Sequence, residues 1–161
     1  MPGRLQAIDS FDRKAEATMY VDPSTKVHSP CNIYGRCYIG KDGSIGMFTE
    51  ICDAMIGCNV RIQAHCFIPS GVVIGNYCFI GPRVTFTNVN KPHPYHANPY
   101  EDTVVCDNVV IGAGAIILPG IRLGRNSFVA AGSVVTHDVL ENAMVAGNPA
   151  KQIGSSPNKD C

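Results

Sequence analysis

Aliphatic residues return along this chain every six positions. They run Val21, Val27, Ile33, Ile39, Ile45 and Ile51. One residue is dropped, and the beat resumes at Ile56, Ile62, Ile68, Ile74, Ile80 and Phe86. After a longer gap it returns at Val105, Ile111, Ile117, Leu123, Val129 and Val135. A period of six fits neither an amphipathic helix nor one long alternating strand. It suits the flat sides of a β-solenoid, where a short strand sends its aliphatic residue inward, a tight turn follows, and the next side begins. Gly often follows the aliphatic residue, as at Gly40, Gly57, Gly81 and Gly112, and Gly and Asn tolerate the positive φ of such turns. Three sides make a coil, so the three blocks of six hexads predict about six coils, stacked at ~4.8 Å into a prism roughly 29 Å tall. A smaller column sits four residues after the aliphatic one and includes Cys31, Cys37, Val60, Cys66, Val72 and Cys78. A β-sandwich with coincidental spacing would not keep one register through two interruptions.

Composition narrows the function. The 161 residues suffice for one domain. Thirteen basic residues balance thirteen acidic ones, which argues against nucleic acid and anionic membrane as partners. No apolar run reaches membrane-spanning length, and "MPGRLQAIDSFDRK" has no signal-peptide core, so membrane insertion is not expected and a cytoplasmic location is. None of the eight cysteines forms a CxxC pair, so a zinc ribbon has no support. Their multiples-of-six spacing, Cys31 to Cys37 and Cys66 to Cys78, assigns them to the repeat as small buried hydrophobes. Sixteen glycines, no Trp and many β-branched residues agree with an all-β, turn-rich fold.

The hexads, with the terminal "VAGNPAKQIG", resemble the hexapeptide-repeat acyltransferases over about residues 20–154. The resemblance implies a left-handed parallel β-helix and a homotrimer with sites between subunits. Residues 1–19 carry no hexads and read as an N-terminal cap, with a short helix starting at Asp9 or Ser10. Residues 155–161 read as a flexible tail. A trimeric β-helix can also bind metal, as gamma-type carbonic anhydrases do, but here no two histidines stand five apart on consecutive hexads. No metal is expected.

The beat breaks between residues 87 and 104, "TNVNKPHPYHANPYEDTV". So long a loop in a compact domain is usually functional or disordered, and solenoid insertions tend to fall on the binding face. "FIGPRVTFTN", the Pro-containing loop and "MFTEICDAMIGCNVRIQAHCFIP" resemble the sugar-nucleotide N-acetyltransferases within the superfamily. These move acetyl from acetyl-CoA to the amine of a nucleotide-linked amino-deoxysugar. The O-acetyltransferase branch usually shows a T-x-T-H-P string whose His is the base. This chain has "FTNVNKPHP" there, which leaves a loop or wall histidine as the base for the alternative, O-transfer to a hydroxyl.

The chemistry points the same way, because a hydroxyl needs a base whereas a neutral amine is already nucleophilic. An Asn carbonyl can hold an amine N–H and aim its lone pair. Asn88 is therefore the first candidate catalytic residue. His65, three residues past Ile62, falls under Arg83 and one corner from Asn88, where it could take the amine proton or bond the thioester carbonyl. Glu50 lies one coil lower and is expected to orient His65 or bind the sugar. Arg83, Asn90 and His93 are candidate substrate contacts. By resemblance, Ala113, Ala131 and Gly132 line the pantetheine arm of acetyl-CoA, and Lys151 meets a phosphate.

Overall fold

The computed structural model describes residues 19–94 and 99–157. The chain winds into a triangular parallel β-solenoid, a left-handed β-helix, and no helix lies among the described residues. The first face stacks Tyr20–Val21, Tyr38–Ile39, Met55–Ile56, Val72–Ile74, Thr103–Val105 and Arg122–Leu123. The second stacks Lys26–Val27, Ser44–Ile45, Arg61–Ile62, Phe79–Ile80, Val110–Ile111, Phe128–Val129 and Ala143–Gly147. The third stacks Asn32–Tyr34, Glu50–Cys52, Phe67–Ile68, Thr85–Phe86, Ile116–Ile117 and Val134–Val135.

The predicted aliphatic residues pair with their own kind between coils: Ile39 with Ile56, Ile56 with Ile74, Ile62 with Ile80 and Ile80 with Ile111. Each of these side chains is buried to within about one per cent of its surface. A strand of two or three residues cannot stand alone, so each coil depends on this stacking for its core.

Six full coils are as expected, and a partial seventh follows. Val139 bridges to Leu123, and Ala143–Gly147 pairs with Phe128–Val129. Val139 comes four residues after Val135 rather than six, which hid the extra coil from the periodicity. The chain then reverses, and Ala150–Ser155 runs antiparallel to Ala143–Gly147. Ser156 is still buried, with its N–H on the Asn142 carbonyl. The predicted cap falls on residues 1–18, outside the described residues, apart from Met19. No helix among the described residues is long and apolar enough to cross a membrane.

The smaller column does more than fill space. Thr25 Oγ1 donates to the Gly40 carbonyl at 2.6 Å, and Thr49 Oγ1 to that of Gln63 at 3.1 Å. Cys31, Cys66 and Cys78 send thiols to the carbonyls of Gly46, Gly81 and Cys106 at 3.1, 3.2 and 3.1 Å. Thr and Cys are thus interchangeable here as small donors that satisfy a corner carbonyl of the next coil. Burial pushes the Cys66 thiol up to about 11 and the Cys78 thiol up to about 12, so both stay protonated as this role requires. Among the described residues, Thr103 Oγ1 and Ser127 Oγ are buried with no partner.

Two substitutions separate these contributions. Ile80→Ala, in mid-ladder, is expected to cost about 2–5 kcal/mol in denaturant unfolding. Thr103→Val keeps the shape and removes an unpartnered hydroxyl, so it is expected to stabilise by about 1 kcal/mol in the same assay.

Candidate functional site

The prism has three vertical edges, and each turns on residues with left-handed backbone. On the first edge, between the first and second faces, these are Asp42, Asn59, Tyr77, Asn108, Asn126 and Asn142. On the third edge, between the third and first faces, they are Gly35, Asp53, Gly71 and Gly120. Apart from Tyr77, these are Gly, Asn and Asp, the residues that tolerate this region. The second edge is different. From bottom to top it carries Phe48, His65, Arg83, Gly114 and Gly132, with φ of 60, 62, 59, 69 and 68°. Its lower half therefore holds three large side chains at this backbone, where His is tolerated and a bulky residue such as Phe is an outlier.

A backbone ladder fixes the vertical order. His65 N–H donates to the Met47 carbonyl at 3.0 Å, Arg83 N–H to Ala64 at 3.0 Å, Gly114 N–H to Pro82 at 2.8 Å and Gly132 N–H to Ala113 at 2.8 Å. His65 therefore does lie beneath Arg83. Its ring stacks on that of Phe48, with centroids 4.9 Å apart and planes inclined by 17°. Higher up the edge is bare. A Cβ built on Gly114 or Gly132 meets nothing within 4 Å, and Ala113 and Ala131 are exposed beside them. Lys151 is exposed at the top of the same edge, paired in register with Ala146. The four residues expected to hold the acetyl donor thus fall on one continuous strip.

Asn88 lies elsewhere, on the third edge. Its Nδ2 donates to the Ser70 carbonyl at 3.1 Å, one coil below. Its own carbonyl accepts the Glu101 N–H at 2.9 Å and closes the neck of the loop. The amide is half-buried, and with Nδ2 held downward its Oδ1 is the group left to accept. The expected loop of 87–104 is narrower by two residues, because Thr103 and Val104 already belong to the first face. Asn90 and His93 sit exposed beyond the neck, and His96 lies outside the described residues.

The third edge is braced from below by Asp53, the turn residue where the hexad beat loses one position. Its Oδ1 accepts the Arg36 N–H at 2.7 Å, and its Oδ2 accepts the Ser70 hydroxyl at 3.2 Å. The Arg36 N–H, then the Cys52 thiol and the Ser70 hydroxyl, and last the Arg36 charge, hold the Asp53 carboxyl below the usual carboxylate range.

One expectation needs correction. Glu50 does not orient His65. It projects from the third face, where its Oε1 accepts the Tyr34 hydroxyl at 2.7 Å. That bond, followed by one to Cys52, pushes the Tyr34 hydroxyl well above its ordinary range. Outward side chains of stacked strands meet neighbours on the same face, whereas His65 points away at a corner. Sequence reasoning missed both Tyr34 and Phe48. Phe48 was signalled, since it follows Ile45 by three residues as His65 follows Ile62.

The candidates therefore form two groups on opposite sides of the third face. Ser70, beneath Asn88, is five residues along the chain from His65, which is roughly 15 Å of extended backbone. Phe67 and Ile116 project from the face between them and are exposed. Concavities of about 340 and 360 Å³ open elsewhere on the prism. The first lies on the first face around Asp107 and Arg122, the second at the upper end around Val139 and Lys151. Neither is lined by His65 or Asn88.

The family description that matches is "Bacterial transferase hexapeptide (six repeats)", over residues 53–88 and 102–137, on either side of the loop. Over those two stretches the chain is similar to the hexapeptide repeats of bacterial transferases. Their relatives include both chemistries. A galactoside O-acetyltransferase of Lactococcus lactis is 36% identical over 83 residues, 48% of this chain and 40% of that one. A 2,3,4,5-tetrahydropyridine-2,6-dicarboxylate N-acetyltransferase of Staphylococcus aureus is 42% identical over 79 residues, 49% of this chain and 31% of that one. The hexapeptide chain thus spans less than half the length of either relative. Among solved structures, a single-site variant of AntD, an N-acyltransferase from Bacillus cereus in complex with dTDP-4-amino-4,6-dideoxyglucose and coenzyme A, superposes with a TM-score of 0.78. It is 20% identical, and the match covers 86% of this chain and 84% of that one.

Asp53 yields a prediction with a definite sign. Its folded carboxyl titrates below its unfolded value, ~3.9, so its stabilisation is present at neutral pH and is lost as pH falls below about 4. Asp53→Asn is expected to lower the melting temperature at pH 7 and to flatten its decline between about pH 4 and 3. Thermal melts across that range check it.

Proposed function

We propose that this chain is an acetyl-CoA-dependent N-acetyltransferase. It acetylates the amino group of a nucleotide-linked amino-deoxysugar, and the site lies between subunits of a homotrimer. The observation that carries the reading is the orientation of Asn88. With Nδ2 held by the Ser70 carbonyl, its Oδ1 can take an N–H of the incoming amine and aim the lone pair. Nothing at that position resembles the histidine base that O-transfer requires. The AntD likeness, with its bound amino-sugar nucleotide and coenzyme A, supports the same substrate class.

In this reading acetyl-CoA lies along the second edge. Its pantetheine arm follows Ala113, Ala131 and Gly132, where bare glycines leave room, and Lys151 meets a phosphate as a point charge. The amine lone pair attacks the thioester carbonyl. A C–N bond forms, the C–S bond breaks, and coenzyme A leaves as thiolate. The surplus ammonium proton passes to His65 or to that thiolate. Arg83, Asn90 and His93 hold the acceptor's nucleotide. Glu50 contacts the sugar from the third face.

The separation of His65 from Asn88 supports the trimer. Threefold packing about the third face brings one copy's second edge against the next copy's third edge. His65 of one subunit then meets Asn88 of another, and the exposed Phe67 and Ile116 are covered.

Two measurements test this. The first is acetyl transfer to a panel of amino- and hydroxy-sugar nucleotides, detected by product mass. Gain on amino sugars alone is expected, and gain on hydroxyl-only acceptors would reverse the reading in favour of an O-acetyltransferase. The second is subunit mixing. His65→Ala and Asn88→Ala are each expected to lower kcat by about tenfold or more. Refolded together, they should regain about a quarter of wild-type activity, since one shared site in four then keeps both groups. No regain would place the two residues in one subunit's site or in none.

A further inference from the structure

We propose that Phe48 is a positioning residue, whose ring holds the imidazole of His65 in its working orientation at the second edge. This rests on the reading of His65 as part of the transfer site. Phe48 is disfavoured where it stands on two counts. A bulky side chain at φ 60° is a conformational outlier. Its ring is also 55% exposed, so burial recovers little of its apolar surface. The equivalent positions higher on this edge are Gly114 and Gly132, and the first edge uses Asn at four of the same kind of turn, Asp at one and an aromatic residue at one, Tyr77. Asn or Gly would turn the corner here with less strain. Strain that persists at a site facing a candidate catalytic group is a sign of function.

The contact itself shows what Phe48 can do. The Phe48 N–H is held by the Pro30 carbonyl, and the His65 N–H by the Met47 carbonyl. The two side chains therefore leave the wall one above the other. Their rings are offset-stacked at 4.9 Å and 17°, a favoured aromatic geometry. Stacking uses the flat of the imidazole and leaves both nitrogens, which lie in its plane, open to partners. Rotation about the His65 side-chain bonds would break the stack, so an otherwise exposed corner histidine is confined to one plane. Arg83 occupies the next rung above, so the ring stands between Phe48 and that rung.

A structural role and a positioning role predict opposite outcomes on replacing Phe48 by the turn-favoured residue. Phe48→Asn relieves the backbone, so the melting temperature is expected to hold or rise by a few degrees. Acetyl transfer is expected to fall about tenfold in kcat, with KM for acetyl-CoA within about twofold of wild type. Phe48→Tyr keeps the flat ring and is expected to retain kcat within about threefold. In a double-mutant cycle, Phe48→Asn should add almost nothing to the loss already caused by His65→Ala, because both act through one group. Wild-type kcat in Phe48→Asn, or losses that simply add, would overturn the role while leaving the transferase reading intact. A fall in melting temperature with loss of assembly would instead make Phe48 a subunit contact, and would equally overturn it. Full activity of His65→Ala would remove the reading of His65, and this role for Phe48 with it.

Discussion

A triangular coil with six residues to a side has room for a strand of two or three residues and a corner. Above the lowest coil, most corners close on one residue with left-handed backbone, and that constraint governs the rest of this molecule. It sends the corner side chain out of the prism while its neighbours point in. Because the corner N–H of each coil bonds to a carbonyl of the coil below, corner side chains also stand in vertical register. Each edge is thus a row of outward groups at roughly the spacing of stacked strands, ~4.8 Å. Rings at that spacing can stack, and bare glycines at that spacing leave a continuous strip of backbone. The second edge has both, Phe48 with His65 below and Gly114 with Gly132 above.

The same geometry explains why chemistry gathers at edges rather than on faces. A face presents alternating outward residues held by their strand neighbours, and these pair with one another, as Tyr34 does with Glu50. An edge also admits insertions without breaking a sheet. The loop leaves the third edge after Asn88 and returns before Thr103, and its neck is closed by one backbone bond. The wall above and below keeps its pairing, with Thr85–Phe86 joined to Ile116–Ile117 and Val72–Ile74 to Thr103–Val105. A long polar excursion therefore coexists with an unbroken core.

How much of this could be read in advance depended on what repeats. The Ile ladder was legible because side-chain type recurs with the coil, and with it came the fold, the loop and the placement of His65 under Arg83. The donor role of the Cys and Thr column was not legible, since smallness and hydrogen bonding call for the same residues. The Asn88 bond to Ser70 spans 18 residues, one regular coil. Phe48 and His65 are 17 apart, because the position lost near Asp53 shortens that coil. A strict count of 18 from His65 lands on Met47, and the stacked ring goes unnoticed. Glu50 was assigned to the wrong partner for a related reason, since counting coils gives height on the prism but not the direction in which a side chain leaves it.

The closing strand, Ala150–Ser155, bears on a hazard of every stacked parallel sheet. A solenoid with a flat upper end offers a template on which another copy can continue the winding, and repetition of that step gives a fibre. Here the upper rim is uneven. The third face stops at Val134–Val135, the first is continued by the single bridge at Val139, and the second ends in a strand that runs backwards. An incoming coil would have to match three rims at different heights, one of them of opposite polarity. The reversal thus sets a direction on the molecule, and at this end growth by templating has no register to copy.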